Sequence, residues 1–331
     1  MKSILLITTG GTIASSNSGQ GLVPTSSSRE ILNMINKIAS EYEVSTMDLF
    51  SLDSSNIQME EWQKMAETIY LEHKKYDGIV LTHGTDTMAY TGSILSFMLQ
   101  NIPIPVVLTG AQLPLHHPMT DGIENLRTAF AMAASEIPGI FIAFNRKVML
   151  ATRAVKVRTT SFDAFESVNA DYIATVDSRG LVIHKELLPS GRGDFILRND
   201  ICLDVFLIKL IPGLNPNIFD ALLSMNIKGV VIEAFGAGGV QYLRRDITNK
   251  LSKLVDNNIS VVVCSQCLYE RSDFSIYEVG QKVLAQGVIE GMDMTSESAI
   301  CKLMWGLAYY RTNQEIKELF NTNLVGEVHL M

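Results

Sequence analysis

The sequence predicts an α/β fold in two domains, each a mainly parallel sheet flanked by helices, with a larger N-terminal and a smaller C-terminal domain. Three observations carry this. Short, uniformly apolar, β-rich runs such as Ile4-Leu5-Leu6-Ile7 and Ile79-Val80-Leu81 have the character of strands buried on both faces of a parallel sheet. Helical stretches alternate with these runs, as they do where helices cover both faces of such a sheet. The stretch 184–201, with Pro189-Ser190-Gly191-Arg192-Gly193-Asp194, is the most linker-like in the chain and separates two series of such elements. We therefore expect a first domain over 1–187, a linker over 188–202 and a second domain over 203–331. A length of 331 residues is enough for two cores.

The elements follow in order. A strand over 3–8 opens the chain and runs into Thr8-Thr9-Gly10-Gly11-Thr12. A helix is expected over 28–38 and a strand over 43–49. The polar knot Asp53-Ser54-Ser55-Asn56 then precedes a helix over 60–73 that starts at Glu60-Glu61-Trp62. The strand 78–82 ends in His83-Gly84-Thr85-Asp86-Thr87, from which a helix over 87–99 departs. A strand over 105–109 is followed by a helix over 121–135, with Asp121 as N-cap and Glu124 three residues on, a capping-box pairing. A strand over 139–144 closes the first series. The second has strands at 203–210, 229–234 and 259–264, and helices at 217–225, 246–257 and 296–309. No internal repeat or low-complexity tract interrupts this order.

Composition narrows the function classes. Hydrophobic residues make up 47% and charged residues 19%, which excludes wholesale disorder. A net charge of −8 argues against general attraction to nucleic acid or an anionic membrane. The apolar runs are too short to span a bilayer, and Met1-Lys2-Ser3 leads straight into a strand rather than a signal core; a cytoplasmic protein is expected. Of the cysteines, Cys264 and Cys267 form a C-x-x-C pair, but Cys202 and Cys301 have no cysteine or histidine nearby. All four are read as structural thiols, not metal ligands. His116-His117 likewise lacks further ligands and is read as loop. No metal or cofactor is expected.

In parallel sheets chemistry gathers at the carboxyl ends of strands, and both threonine-glycine segments sit there. Neither Gly10-Gly11-Thr12 nor Gly236-Ala237-Gly238-Gly239-Val240-Gln241 fits a phosphate or dinucleotide loop. The functional reading of the first makes Thr12 a nucleophile, which needs a neighbouring base. Thr85 and Asp86 stand at a helix start, where capping alone accounts for one of them. His83 is read as a local hydrogen-bonding residue rather than a base. The plainest reading of 53–56 is an ordinary loop. Arg146, Lys147, Arg153, Lys156 and Arg158 lack interleaved aromatics and are read as a solvated or salt-bridged face, from which one desolvated lysine could act in proton transfer.

Together, Thr9-Gly10-Gly11-Thr12-Ile13-Ala14 and His83-Gly84-Thr85-Asp86-Thr87 resemble the paired signature of the bacterial L-asparaginase family. Asp53-Ser54-Ser55, Leu108-Thr109-Gly110-Ala111-Gln112, and Phe162-Asp163-Ala164-Phe165 after Lys156 agree. So do Gln266-Cys267 and Gly291-Met292-Asp293-Met294-Thr295, which are similar to the cytoplasmic type I branch. The resemblance covers essentially the whole chain. It implies hydrolysis of L-asparagine to L-aspartate and ammonia by double displacement, with Thr12 as the acylated nucleophile. Thr85, Asp86 and Lys156 would form the proton-transfer cluster. Asp86 would also hold the substrate ammonium, Ser54 and Ser55 its α-carboxylate, Asp53 would bind substrate beside them, and Gly11 and Ala111 would line the site. The resemblance further implies self-association as a homodimer or homotetramer, each site closed by a neighbouring protomer.

One departure stands out. Many relatives place a tyrosine on the loop after the first motif, where this sequence has Leu22 in Ser15-Ser16-Asn17-Ser18-Gly19-Gln20-Gly21-Leu22-Val23-Pro24. Tyr277 resembles a second-domain tyrosine of some type I members and is the candidate substitute. Two alternatives stand beside the amidohydrolase. One is an asparaginase-like tRNA amidotransferase subunit, which carries an extra amino-terminal domain, whereas this sequence starts on the catalytic strand. The other is a catalytically weak amino-acid-binding homologue.

Overall fold

The computed structural model describes residues 1–17, 22–24, 26–189, 193–275 and 278–330. They form two compact units, Met1–Asn199 and Asp200–Met331. Both are α/β, with mostly parallel sheets and helices.

In the first unit the chain runs β1 (Ser3–Gly10), β2 (Ser15–Asn17), β3 (Leu22–Pro24), α1 (Ser28–Met34), α2 (Asn36–Ala39), β4 (Glu43–Leu52), α3 (Met59–Glu72), β5 (Gly78–Thr82), α4 (Met88–Met98), β6 (Pro105–Thr109), α5 (Gly122–Ala133) and β7 (Gly139–Phe144). Short strands follow: β8 (Lys147–Leu150), β9 (Ala154–Lys156), β10 (Phe165–Ser167), β11 (Ala174–Asp177) and β12 (Gly180–Ile183). The main sheet has the order β12-β11-β8-β7-β6-β5-β1-β4. It is parallel from β7 to β4, and antiparallel from β7 through β8 and β11 to β12.

This order places the chemistry. From β1 the chain steps to β4 on one side, then crosses back to β5 on the other. The carboxyl ends of β1 and β5 therefore flank a topological switch point, where open α/β sheets hold ligands. The register sets Thr8 opposite Thr82, so the two glycine-containing loops leave the sheet at the same level. The strands there are fully buried because helices cover both faces. The core around Ile4, Leu6, Val80, Val107 and Phe141 packs Leu126, Ala129 and Phe130 of α5 against the sheet. Helix α4 is buried nearly all round, which explains why its residues are apolar or small on every face.

Several expectations are corrected. The helix over 28–38 is two helices, broken at Ile35, whose backbone (φ −106°, ψ 23°) leaves the helical region. The strand expected over 43–49 extends to Leu52. The Asp121–Glu124 capping box does not form. Asp121 precedes α5 but caps nothing with its side chain, and Glu124 pairs instead with Arg127 and Arg146.

The second unit runs β13 (Val205–Lys209), α6 (Asn217–Ser224), β14 (Gly229–Ala234), α7 (Thr248–Asp256), β15 (Ser260–Ser265), α8 (Glu278–Ala285), β16 (Ile289–Glu290), α9 (Ser296–Tyr309) and α10 (Asn313–Phe320). Its sheet, β13-β14-β15-β16, is parallel throughout. Among the described residues no helix is long and apolar enough to cross a membrane.

The carboxyl-terminal segment of this unit is held by a buried ion pair. Lys302 of α9 donates to the Thr322 carbonyl (2.7 Å) and to the Glu327 carboxylate, and neither side chain has exposed surface. Glu327 in turn accepts the N–H groups of Leu324 and Val325. Burial pulls the Lys302 amine down, while Glu327 pulls it up. Breaking such a pair leaves an uncompensated buried charge. Glu327→Gln is therefore expected to lower the unfolding free energy by about 3–5 kcal/mol in urea titration. A loss under about 1 kcal/mol would mean that water reaches the ammonium.

Candidate active site

The site begins with missing side chains. Gly11, after β1, has φ +76°, and a Cβ there would lie 2.4 Å from the Gly84 backbone nitrogen. A Cβ on Gly84 would in turn lie 2.6 Å from Ser54 Oγ. The loops after β1, β5 and β4 thus touch with nothing between them, which only glycine at 11 and 84 allows. Polar contacts lock the same loops. Gly11 N–H donates to the Leu52 carbonyl (2.9 Å), Thr9 Oγ1 to the Thr82 carbonyl (2.8 Å) and Thr87 Oγ1 to the Ser54 carbonyl (2.8 Å).

Thr12 is the residue after this contact, partly exposed at the start of the single 3-10 turn Thr12–Ala14. Among the described residues no base is hydrogen-bonded to its hydroxyl. Thr85 is the residue after Gly84 and is buried. Lys156, at the end of β9, places Nζ 2.8 Å from Thr85 Oγ1 and 2.6 Å from Asp86 Oδ1. The structure thus brings Thr85, Asp86 and Lys156 into one cluster. The Asp86 side chain is 65% exposed, so the ion pair is screened by solvent and adds little to stability. What the pair fixes is position.

Ser54 is buried in a 3-10 turn, Ser54–Asn56. Asp53 accepts from Ser55 Oγ (2.6 Å) and from Ser55 N–H (2.9 Å), and these two bonds hold its carboxyl below the usual range. Asp53 and Ser55 are both exposed and engaged with each other. Ala111 is buried beside Gly122.

Gln112, Asp121 and Asn125 shape this loop, a role that sequence reasoning did not give them. Gln112 spans two parts of the site. Its Nε2 donates to the Thr159 and Ser161 carbonyls (3.1 and 3.0 Å), and Thr85 Oγ1 lies 3.5 Å from its Oε1. The Asp121 carboxylate accepts the N–H groups of Gln112 and Leu113 (3.0 and 3.1 Å), and Asn125 Nδ2 donates to the Gly110 carbonyl (2.9 Å). The only signal in the sequence was the Gly110-Ala111-Gln112 turn at the end of a buried strand.

Other expected residues fall elsewhere. Tyr277 lies outside the described residues, as do 18–21 of the loop after the first motif. Leu22 pairs with Asn17 in the β2–β3 hairpin. Cys264 is buried, its thiol pushed up to about 12 by that burial, and Cys267 is exposed. Among the described residues no His, Cys, Asp and Glu cluster could hold a metal ion.

Residues 3–189 match the family described as asparaginase, N-terminal, and residues 204–320 the glutaminase/asparaginase C-terminal domain. An L-asparaginase from Thermococcus kodakarensis is 40% identical over 98% of both chains. The solved thermostable L-asparaginase from that organism superposes with a TM-score of 0.93 at 39% identity over 99% of both chains. L-asparaginase I from Vibrio cholerae gives 0.88 at 27% identity, again over 99% of both. A glutamyl-tRNA(Gln) amidotransferase subunit from Methanosphaera stadtmanae is 33% identical over 99% of this chain and 77% of its own length.

Proposed function

We propose, on the premise that the chain belongs to the asparaginase family, that it hydrolyses L-asparagine to L-aspartate and ammonia by double displacement on Thr12. The observation that carries this reading is the Lys156 amine bridging Thr85 Oγ1 and Asp86 Oδ1 beside the Gly11–Gly84 contact. In the first displacement Thr12 Oγ attacks the side-chain amide carbon and the C–N bond breaks. The hydroxyl's proton ends on the departing ammonia. Water then attacks the acyl carbon of the Thr12 ester. The Thr85–Lys156 pair takes its proton and returns one to Thr12 as aspartate leaves. Proton transfer of this kind is worth about 10²–10⁴-fold in rate.

The remaining residues bind. The exposed Asp86 carboxylate receives the substrate ammonium, Ser54 and Ser55 receive the α-carboxylate, and Asp53, in the same turn, contacts the substrate beside them. Gly11 and Ala111 line the pocket with backbone. Tyr277 of a neighbouring protomer serves as activator of Thr12 within a homodimer or homotetramer. The likeness to the Vibrio L-asparaginase I supports the cytoplasmic type I branch. The domains are taken as 1–187 and 203–331, joined by 188–202. No metal or cofactor enters the reaction, and neither nucleic acid nor membrane is a partner.

The identity to amidotransferase subunits gives a second reading, in which the ammonia is passed to a partner acting on charged tRNA. The purified chain alone, given L-asparagine, is expected to release ammonia and aspartate in equal amounts. Release only in the presence of a tRNA-bound partner would favour the second reading, and no release in either case would leave the amino-acid-binding homologue.

A further inference from the structure

A buried run of hydrogen bonds lies behind the Thr85–Asp86 loop and ends on its backbone. His83 has no exposed surface, and its Nδ1 is 2.7 Å from the Gly84 carbonyl oxygen. A carbonyl only accepts, so Nδ1 carries the proton and Nε2 is an acceptor. Nε2 lies 2.9 Å from Thr91 Oγ1, which donates to it. The same Thr91 oxygen accepts from Trp62 Nε1 at 2.9 Å. Every donor in the run has one acceptor, and the direction is fixed from the indole to the carbonyl. Burial pushes the imidazole down to about 4, so the ring stays neutral at neutral pH.

We propose that His83 is a positioning residue that, with Thr91 and Trp62, fixes the Gly84–Thr85 peptide and so aims the Thr85 hydroxyl at the Lys156 amine. The inference rests on the catalytic reading above. The peptide plane that carries the Gly84 oxygen also carries the Thr85 N–H, so turning one turns the other. Gly84 has no side chain to hold that plane, and Ser54 fills the space where one would be. The plane is instead held through three elements: α3 by Trp62, α4 by Thr91 and the end of β5 by His83. Both imidazole nitrogens are committed to this task, which leaves neither for Thr12. A shift of about 1 Å at reacting groups costs on the order of 10²-fold in rate, so the run has leverage without touching substrate.

The test uses Thr91→Val, which keeps the side-chain shape and deletes the hydroxyl, and Thr91→Ser, which restores it. The valine variant is expected to lose about 10²-fold in kcat for ammonia release with KM within about threefold, and the serine variant to recover it. The Trp62 indole N–H resonance, one of two in the protein, should move in the valine variant and return in the serine variant. The ε-methylene carbon resonance of Lys156, assigned with Lys156→Arg, should move with it. That last readout needs no turnover, so it stands even where wild type fails on asparagine and the catalytic reading falls. Should the valine variant not fold, His83→Asn, which keeps a donor to the Gly84 carbonyl but breaks the link to Thr91, and His83→Gln, which loses that donor, are both expected to lower kcat and to move the Lys156 resonance. Wild-type kcat with only a lowered Tm, or an unmoved Lys156 resonance, would overturn the proposal.

Discussion

Thr12→Ala is expected to lower kcat for ammonia release from L-asparagine by about 10⁴-fold or more, the scale seen when a nucleophile acting as part of a unit is removed. The substitution deletes the hydroxyl oxygen that the acyl group would occupy and touches little else. Thr12 is partly exposed at a loop, and its hydroxyl holds no described neighbour. Stability should therefore stay within about 0.5 kcal/mol of wild type. Mass spectrometry of quenched wild-type reactions should find an aspartyl ester on the peptide containing Thr12, and none in the variant. Turnover near wild type in Thr12→Ala, or an ester mapped elsewhere, removes Thr12 from the mechanism.

Lys156→Met is expected to cost about 10²–10⁴-fold in kcat, because it removes the amine that joins Thr85 to Asp86 while keeping the bulk of the stem. The stability outcome separates this from a folding defect. The lysine is largely buried but its partner carboxylate is exposed, so the lost ion pair should cost no more than about 1 kcal/mol. A large fall in kcat with a small fall in Tm is the expected signature. Deacylation should slow, since the Thr85–Lys156 pair takes the proton of the attacking water. If the pH–rate profile and kcat of Lys156→Met match wild type, the lysine belongs to the solvated basic face and not to the relay.

The parallel part of the large sheet was legible because its strands are buried on both faces, which leaves uninterrupted apolar runs such as Ile79-Val80-Leu81 and Val106-Val107-Leu108. The antiparallel end was not. Strands β8 to β12 are short and unevenly exposed, and pairs such as Ala174 with Ile183 depend on partners the local pattern does not reveal. The break at Ile35 was hidden because isoleucines at 31, 35 and 38 still reach the core across it. In the site, Thr12, Thr85 and Asp86 stood out as polar residues after glycine at strand ends. Lys156 sat in a basic stretch with nothing local to distinguish it and entered through resemblance alone. Asp121 read as a cap because it precedes a helix, yet its carboxylate turns back to the Gln112 and Leu113 amides, a choice made by the fold in space. His83 was read as a local hydrogen-bonding residue, but its link to Trp62 crosses two helices and leaves no local trace.

The delivery of Lys156 on the β9–β10 hairpin ties the site to the order in which the chain is made. Lys156 pairs with Phe165, whose ring packs 5.0 Å from Phe144, and these two strands pair only with each other in their sheet. A lone two-stranded ribbon is marginal in water, so this one depends on the sheet beneath it. A nascent chain that has left the ribosome through α5 already holds the motifs around Thr12, Ser54 and Thr85, but it carries neither the lysine nor the strand that seats it. Incomplete chains therefore present the binding loops without the relay, whose lysine is made only after those loops.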